Sequence, residues 1–599
     1  MEPRFIVGPP GTGKTYRWIV KKYKELLAKY GPDNIICLSH TNEAVRQLLN
    51  AIMKLDGIKG EYDEEFFEHR ICTIHHYCKQ KLFHRKVIDE DDPDHIKELS
   101  IRNTGFRLSK EKTIKKHPFF RFLNDAYGNG RELEEHWYHP NTDHEEYKAS
   151  ASTWYRLHHI ITLNEVYVKY KKDEGLYDFA DMIDEFNSLI KESDIEALIV
   201  DEAQDSNVPQ LRAIKKMAKN VKEEHFYLVG DPDQTIFEFA GSDADYFHRA
   251  AANPYEELEQ GLRCGRAINT FCKEIISPVW EHYGYKRKWL PAKYDEEYHG
   301  KRNLIPEGCK AGDIIEGRKY ELTDLNPSKN LAILLDKMRN TKQTFIFAYR
   351  GYPSNIYITD FLKHYGFEFA HVGSRPHVSK KELRCHKEWP EFINGEPKSL
   401  KQIKDFLYYL GNKAVVHGKG KFKFEDWIKR DYTYTELINA RIFLPDLRKE
   451  FDLLRKRHKG TLTKKVHDDR MIYIKKVLKN GVDLDGDVRI KHGSIHIIKG
   501  ATFDNVVGDL SIYRFKAETF YIQRRLKYTM FSRGIFDCWV IKATSPQARG
   551  LLGDYGHVPR PRSWSIDEDR FHRRWRPDWD EIENPDDNER RKINENKRI

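Results

Sequence analysis

Among the eight cysteines of this 599-residue chain there is no CxxC pair, which argues against zinc fingers, iron–sulfur clusters and a disulfide framework. Cys37, Cys72, Cys78, Cys264, Cys272, Cys309, Cys385 and Cys538 are expected to be reduced, mostly packing residues. A run of about 18 apolar residues is also missing, and so is a signal-peptide pattern. The expectation is an intracellular, cytoplasmic protein with no membrane partner. No internal repeat or low-complexity tract stands out. Nor is there a strong excess of one charge: 103 Lys and Arg stand against 93 Asp and Glu, a formal +10. Charge alone is therefore a weak argument for a polyanionic partner. What the chain does have is length, with 39% apolar and 33% charged residues, enough for several domains with filled cores and charged surfaces.

The most informative stretch lies near the N-terminus. Phe5, Ile6 and Val7 form an apolar triplet, and Gly8 to Thr15 follows as GPPGTGKT. This spacing is that of a phosphate cradle between a strand and a helix. Glycines let the backbone curl so that its N–H groups face the phosphates, Lys14 reaches the β/γ oxygens, and Thr15 offers a hydroxyl to Mg²⁺. The apolar spacing of Trp18, Ile19, Leu26 and Leu27 predicts a helix over 16–30, ended by Gly31-Pro32.

Two further apolar runs end in polar clusters. Leu198-Ile199-Val200 leads into Asp201-Glu202, and Phe226 to Val229 leads into Gly230-Asp231-Pro232-Asp233-Gln234. Strand ends of this kind are where ligands bind in open α/β sheets. Asp201 is suited to Mg²⁺ and Glu202 to orienting and deprotonating an attacking water, because phosphoryl transfer separates charge neutralisation from positioning of the nucleophile. Gln234 is a candidate γ-phosphate sensor.

These residues resemble the UvrD/Rep family of superfamily 1 helicases. DEAQD at 201–205 and GDPDQTIFEFAG at 230–241 look like its motifs II and III, and further matches follow in the family's order. His40 to Ala44 resembles motif Ia, Thr73 to Cys78 the TIHSFC-like segment, and Tyr177 to Met182 the DFxDL segment. Leu258 to Arg263 is similar to motif IV, and Phe345 to Arg350 to the strand carrying AxLxR. Ser494 to His496 with Lys499 to Asp504 resembles motif V, and Arg524 to Tyr528 with Ser532-Arg533 motif VI.

The resemblance implies an α/β fold with two RecA-like parallel-sheet motor domains, each carrying an inserted, mainly helical subdomain. Residues 1–83 and 166–262 would form the first motor domain and 84–165 its insertion; 263–371 and 486–545 would form the second and 372–485 its insertion, before a polar tail at 546–599. It also implies roles. Lys14, Asp201, Glu202, Gln234, Arg263 and Arg533 would be catalytic, the two arginines reaching the γ-phosphate. Gly8, Pro9, Pro10, Gly11, Thr12, Gly13, Lys14, Thr15, Tyr16 and Gly500 would bind ATP, and Thr15 with Asp201 would hold Mg²⁺. His40, Thr41, Asn42, Thr73, His75, Phe237, Phe239, Tyr349, Arg350 and His496 would contact DNA. A hydroxyl at Thr41 or Thr73 equally suits a helix cap, and the alternating Phe237 and Phe239 equally suit core packing.

The implied activity is that of an ATP-dependent DNA helicase and single-stranded-DNA translocase of 3′ to 5′ polarity, acting in repair, replication or recombination. Its implied partners are single-stranded DNA, duplex junctions and accessory loading or repair proteins, with a monomer as the free state. A translocase that strips proteins with little unwinding, and a nucleotide-gated DNA-binding factor, remain alternatives.

Two expectations follow. If Phe239 is a stacking platform, Phe239→Ala lowers single-stranded-DNA affinity or steps per ATP and leaves basal ATPase and melting temperature near wild type, whereas a loss of about 3–5 kcal/mol in folding stability identifies it as core. The second concerns the base. The family reads adenine with a glutamine ahead of the phosphate loop, yet none of the seven residues before Gly8 is Gln, and Leu262, Thr502 and Ala240 stand where the family has Tyr, Glu and Arg. With few directional contacts to a base edge, ATP and GTP are expected to have kcat/KM values within about 30-fold of each other. Steady-state hydrolysis of the four NTPs checks this, and an ATP preference above about 10³-fold refutes it.

Overall fold

The computed structural model describes residues 2–55, 58, 62, 64–82, 86–88, 118–139, 148–150, 153–154, 156–189, 195–238, 241–300, 310–323, 328–350, 352–410, 430–442, 464–510 and 520–542. Phe239, Ala240, Cys309 and the 546–599 tail lie outside them. The chain divides into two compact units. The first is Met1–Tyr320 with Ile498–Gly508 and Ile512–Trp539; the second is Glu321–Ile497 with Asp509–Ser511 and Val540–Ile599.

The first unit is built on six parallel strands: β1 (Arg4–Val7), β2 (Ile35–Ser39), β3 (Ile71–Thr73), β4 (Ala197–Val200), β5 (Phe226–Gly230) and β6 (Glu256–Glu257). Their order across the sheet is β6-β1-β5-β4-β2-β3. Register puts Val7 opposite Gly230, Val200 opposite Leu228, Leu38 opposite Val200 and Ser39 opposite Thr73. The strand sequences are nearly uninterrupted apolar runs because both faces are covered.

Alternation along each strand sorts these residues into two cores. Ile6, Cys37, Ile199 and Val229 point to one face, where Tyr23 and Leu26 of α1 (Val20–Tyr30) and Leu48 and Ile52 of α2 (Asn42–Ile52) cover them. Val7, Leu38, Val200 and Leu228 point to the other. There they meet α3 (Ile74–Lys81), α4 (Phe179–Leu189), α5 (Val208–Met217) and α6 (Ala244–Ala252). The helix expected over 16–30 opens two residues early: Lys14–Ile19 is a wide π-type turn that runs on into α1, and Gly31, at φ 74°, ends it.

Between α3 and α4, helices Pro118–Gly128, Leu133–Tyr138 and Leu157–Glu174 pack around Phe119, Phe122, Ile160 and Tyr167. Lys171 ties this helical insertion to α4, its ammonium lying 2.7 Å from Asp178 and 2.7 Å from Asp181. The first unit also contains α7 (Arg266–His282) and α8 (Phe520–Phe531).

In the second unit, strands β7 (Phe345–Tyr349), β8 (Phe369–His371) and β9 (Ile490–Ser494) run parallel with β9 in the middle, Phe345 and Phe369 both lying opposite Ile490. Between β8 and β9 comes a second mainly helical region. Lys380–Ile393, Leu400–Leu410 and Tyr434–Asn439 share a core of Trp389, Phe392, Phe406 and Tyr434. The architecture is thus α/β, with parallel sheets and helical insertions. Among the described residues, no helix is long and apolar enough to cross a membrane. The seven described cysteines are buried and not disulfide-bonded.

Candidate active site

Three neighbouring strand ends build the site. After β1, Gly8 N donates to Gly230 O (3.1 Å), so the loop begins anchored to the end of β5. Gly11 (φ 72°) and Gly13 (φ 85°) take left-handed conformations open to glycine. A Cβ on Gly11 would lie 2.2 Å from Arg263 Cβ, so this glycine also lets Arg263 approach. Pro9 O accepts from Thr12 N (3.3 Å) and Thr12 Oγ1 (2.8 Å), closing the turn. Lys14 is buried and donates to Gly8 O at 2.7 Å, across the mouth of its own loop. Pro10 lies within the turn that Thr12 and Pro9 close, and Tyr16, just past the loop, is exposed.

Asp201 and Glu202 follow β4. Asp201 Oδ2 accepts from the Thr15 hydroxyl at 2.9 Å, and Asp201 Oδ1 from Glu202 N at 3.0 Å. Burial and the neighbouring Glu202 push Asp201 up to about 7, against Thr15 and Lys14. Burial pushes Glu202 the same way, but Lys14, Lys499, Gln204 and Arg533 outweigh it and hold Glu202 at about 2. The two carboxyls therefore ionise unequally. The paired hydroxyl and carboxylate of Thr15 and Asp201 are the hard oxygen donors Mg²⁺ takes, and a divalent cation there favours the ionised Asp201.

After β5, Gln234 is buried, its Nε2 donating to Asp231 Oδ2 at 2.7 Å and its Oε1 accepting from Arg533. Arg533 is itself buried and held by Thr529 O and Ser532 Oγ. Burial and Arg263 lower Arg533 to about 10, so it remains a cation at neutral pH. Arg263 Nε is buried without a hydrogen-bond partner. An unpartnered guanidinium Nε beside a phosphate-type loop fits an anionic ligand.

Residues 1–254 match the UvrD/REP helicase N-terminal domain. This N-terminal part of the chain is similar to UvrD/Rep helicases. The chain is 24% identical over 303 residues to a probable DNA helicase II homolog of Mycoplasma capricolum, covering 45% of this chain and 39% of that relative. It is also 24% identical over 294 residues to the ATP-dependent DNA helicase PcrA of Staphylococcus aureus, covering 46% of this chain and 38% of that one. The match thus spans about two fifths of the length of these relatives.

Within the motif-like segments, several residues have long-range partners that the sequence does not announce, while Gly500 is expected there. Lys499 donates to Asp205 Oδ1 (2.5 Å), Asp205 Oδ2 (2.7 Å) and Gln234 O (2.7 Å), and lies 5.2 Å over the Phe237 ring. Burial raises Asp205 to about 6 against the pull of Lys499. Gln204 spans Glu202 and Asp231. Arg525 donates to Thr235 O and Glu238. Gly500, at φ 86°, follows Lys499.

The nucleic-acid candidates fall into two groups. In the first unit His40 Nε2 pairs with Ser206 Oγ (2.9 Å), and burial, Lys499 and His75 hold His40 down at about 3. Burial also lowers His75. Both rings are neutral, so any contact they make is by hydrogen bond or stacking rather than charge. The hydroxyls of Thr41 and Thr73 accept from Ala44 N and His76 N, capping α2 and α3; Asn42 opens α2. Asn42, Arg46, Thr73, His75, Lys79 and Phe179 line a groove of about 730 Å³. Phe237 is half-buried beside Lys499, and Phe239 lies outside the described residues. In the second unit Arg350 lies 3.2 Å from His496 Nδ1, and Tyr349 OH 3.4 Å from His492.

Lys499 and Asp205 expose 8% and 9% of their side chains. Removing one partner of such a pair strands a buried charge, so Lys499→Met is expected to cost about 3–5 kcal/mol in urea unfolding of the full chain. Adding Asp205→Asn is expected to recover part of that loss; simple additivity of the two changes would refute the pairing.

Proposed function

We propose that this chain is an ATP-driven motor on single-stranded DNA that separates duplex strands, moving 3′ to 5′. The observation that carries the reading is the convergence of Lys14, Thr15, Asp201, Glu202, Gln234 and Arg533 at adjoining strand ends of one sheet. Such a set suits phosphoryl transfer to water. Lys14 and the backbone of Gly8 to Thr15 bind the phosphates, and Thr15 with Asp201 would hold Mg²⁺, which when bound would neutralise phosphate charge. Glu202 takes a proton from water as the water oxygen bonds to the γ-phosphorus and the bridging P–O bond breaks, leaving ADP and phosphate. Arg533, held by Gln234, and Arg263 face the charge developing on the phosphoryl oxygens.

Support for DNA as the track comes from the relatives' names and from the groove beside α2 and α3. In this reading His40, Thr41, Asn42, Thr73, His75, Phe237, Phe239, Tyr349, Arg350 and His496 contact the strand, with aromatic stacking that ignores sequence. The motor-domain boundaries at 83, 165, 262, 371, 485 and 545 rest on motif positions and composition; compactness alone groups 263–320, 498–508 and 512–539 with the first unit.

Glu202→Gln is expected to keep nucleotide and DNA binding while lowering ATP turnover by about 10²-fold or more, whereas Lys14→Ala weakens nucleotide binding as well. Turnover of Glu202→Gln within a few-fold of wild type would exclude the assignment. Strand displacement on 3′-tailed, 5′-tailed and blunt duplexes tests the rest: unwinding of the 3′-tailed substrate is expected. DNA-stimulated ATPase without displacement points to a protein-stripping translocase, and slow hydrolysis unlinked to movement to a nucleotide-gated binding factor.

A further inference from the structure

Gln204 has no surface exposure, yet both ends of its amide are engaged. Its Nε2 donates to Glu202 Oε2 at 2.5 Å and its Oε1 accepts from Asp231 N at 3.1 Å. The partners fix the orientation of the amide, since a backbone N–H requires an oxygen and an ionised carboxylate requires a donor. Gly230 makes room for this crossing: a Cβ there would lie 2.2 Å from Gln204 Oε1. The link continues beyond Asp231. Its Oδ2 accepts from Gln234 Nε2 at 2.7 Å, and Gln234 Oε1 accepts from Arg533. One unbroken line of hydrogen bonds therefore runs from the end of β4, across the end of β5, to α8's following turn.

Glu202 itself needs such support. Its backbone sits at φ 51°, ψ 38°, a region costly for a residue with a Cβ. A glutamate side chain has three rotatable bonds, and a water-orienting carboxylate acts only when its free oxygen is aimed. Holding Oε2 through Gln204 leaves Oε1 to point in one direction.

We propose that Gln204 is a positioning residue that fixes the Glu202 carboxylate in register with Gln234, so that the base and the phosphate-facing amide are set as one unit. This rests on the reading of Glu202 as the water-orienting base. Gln204 touches neither water nor phosphate in this role; it acts through Glu202 and Asp231.

The test is a kinetic double-mutant cycle on the full-length chain: wild type, Gln204→Met, Glu202→Gln and the double variant, with kcat and KM for ATP at saturating single-stranded DNA and affinity for a fluorescent ATP analogue. Met keeps the volume and removes donor and acceptor. Gln204→Met is expected to lower kcat about 10- to 100-fold, while nucleotide affinity stays within about threefold. In the Glu202→Gln background the same change is expected to cost less than about threefold, because the group it positions is gone. A residue that merely supports the fold would cost the same factor in both backgrounds, and that additivity, or a kcat of Gln204→Met within threefold of wild type, overturns the proposal. Should Gln204→Met not fold, Gln204→Glu serves: it keeps an acceptor for Asp231 N and sets a second carboxyl against Glu202 Oε2 in place of the donor, so the carboxylate is no longer held, and the same two expectations apply. An unimpaired Glu202→Gln overturns both the base assignment and this proposal, whereas an impaired Glu202→Gln with additive Gln204→Met overturns this proposal alone.

Discussion

Parallel pairing of β1, β5 and β4 is the constraint on which the candidate site depends. With Val7 level with Gly230 and Val200 level with Leu228, three chain segments leave the sheet at one edge. Reversing any one of them would send its polar residues to the opposite edge. The pairing therefore explains how Thr15 meets Asp201 across 186 residues of sequence. Helices on both faces leave the strand interiors no room for polar groups, so polar residues appear where the strands stop.

The segment after β5 is also held from behind. Asp233 is buried and receives Trp280 Nε1 at 2.7 Å and Arg287 Nε at 3.3 Å. Burial and Asp231 raise its carboxyl to about 7, so the ion pair with Arg287 works against desolvation. His248 stacks on Tyr283 with centroids 4.2 Å apart and bonds Tyr285 OH at 2.7 Å. Burial, Arg525 and Arg287 hold it near 2, so it is a neutral member of the network. Removing one partner of such a cluster costs more than the cluster contributes. Its effect is to fix where Asp231 and Gln234 stand, leaving their outward atoms to meet Gln204 and Arg533.

What could be read from the sequence was local. GPPGTGKT after Phe5-Ile6-Val7, DEAQD after Leu198-Ile199-Val200 and GDPDQ after Phe226 to Val229 each combine a strand run with a polar end, the kind of end at which open α/β sheets bind ligands, and the family resemblance implied the parallel sheets. Pairings across long separations were not legible. Nothing near Lys499 announces Asp205, 294 residues away, and nothing near Arg287 announces Asp233, because tertiary packing alone brings them together. The hydroxyls of Thr41 and Thr73 show a subtler limit. Composition cannot separate a helix cap from a ligand contact, since both uses demand a hydroxyl at a turn, and in the fold both cap helices. The π-type opening at Lys14 also escapes a periodicity argument, which assumes one pitch throughout.

The left-handed backbone at Glu202 gives the acidic pair its chemistry. Consecutive residues of an extended strand point to opposite faces, so a β4 that simply continued would aim Asp201 and Glu202 apart. Instead the chain turns at Glu202, with φ 51°, into the Ala203–Asp205 turn. Lys14 favours the ionised form of both carboxyls, against burial. The left-handed conformation costs on the order of 1–3 kcal/mol. Asp201 Oδ1 on Glu202 N and Gln204 on the Glu202 carboxylate offset it. The strain thus lies at the second residue of the acidic pair, and substituting glycine there would relax the backbone only by discarding the carboxylate that Gln204 holds.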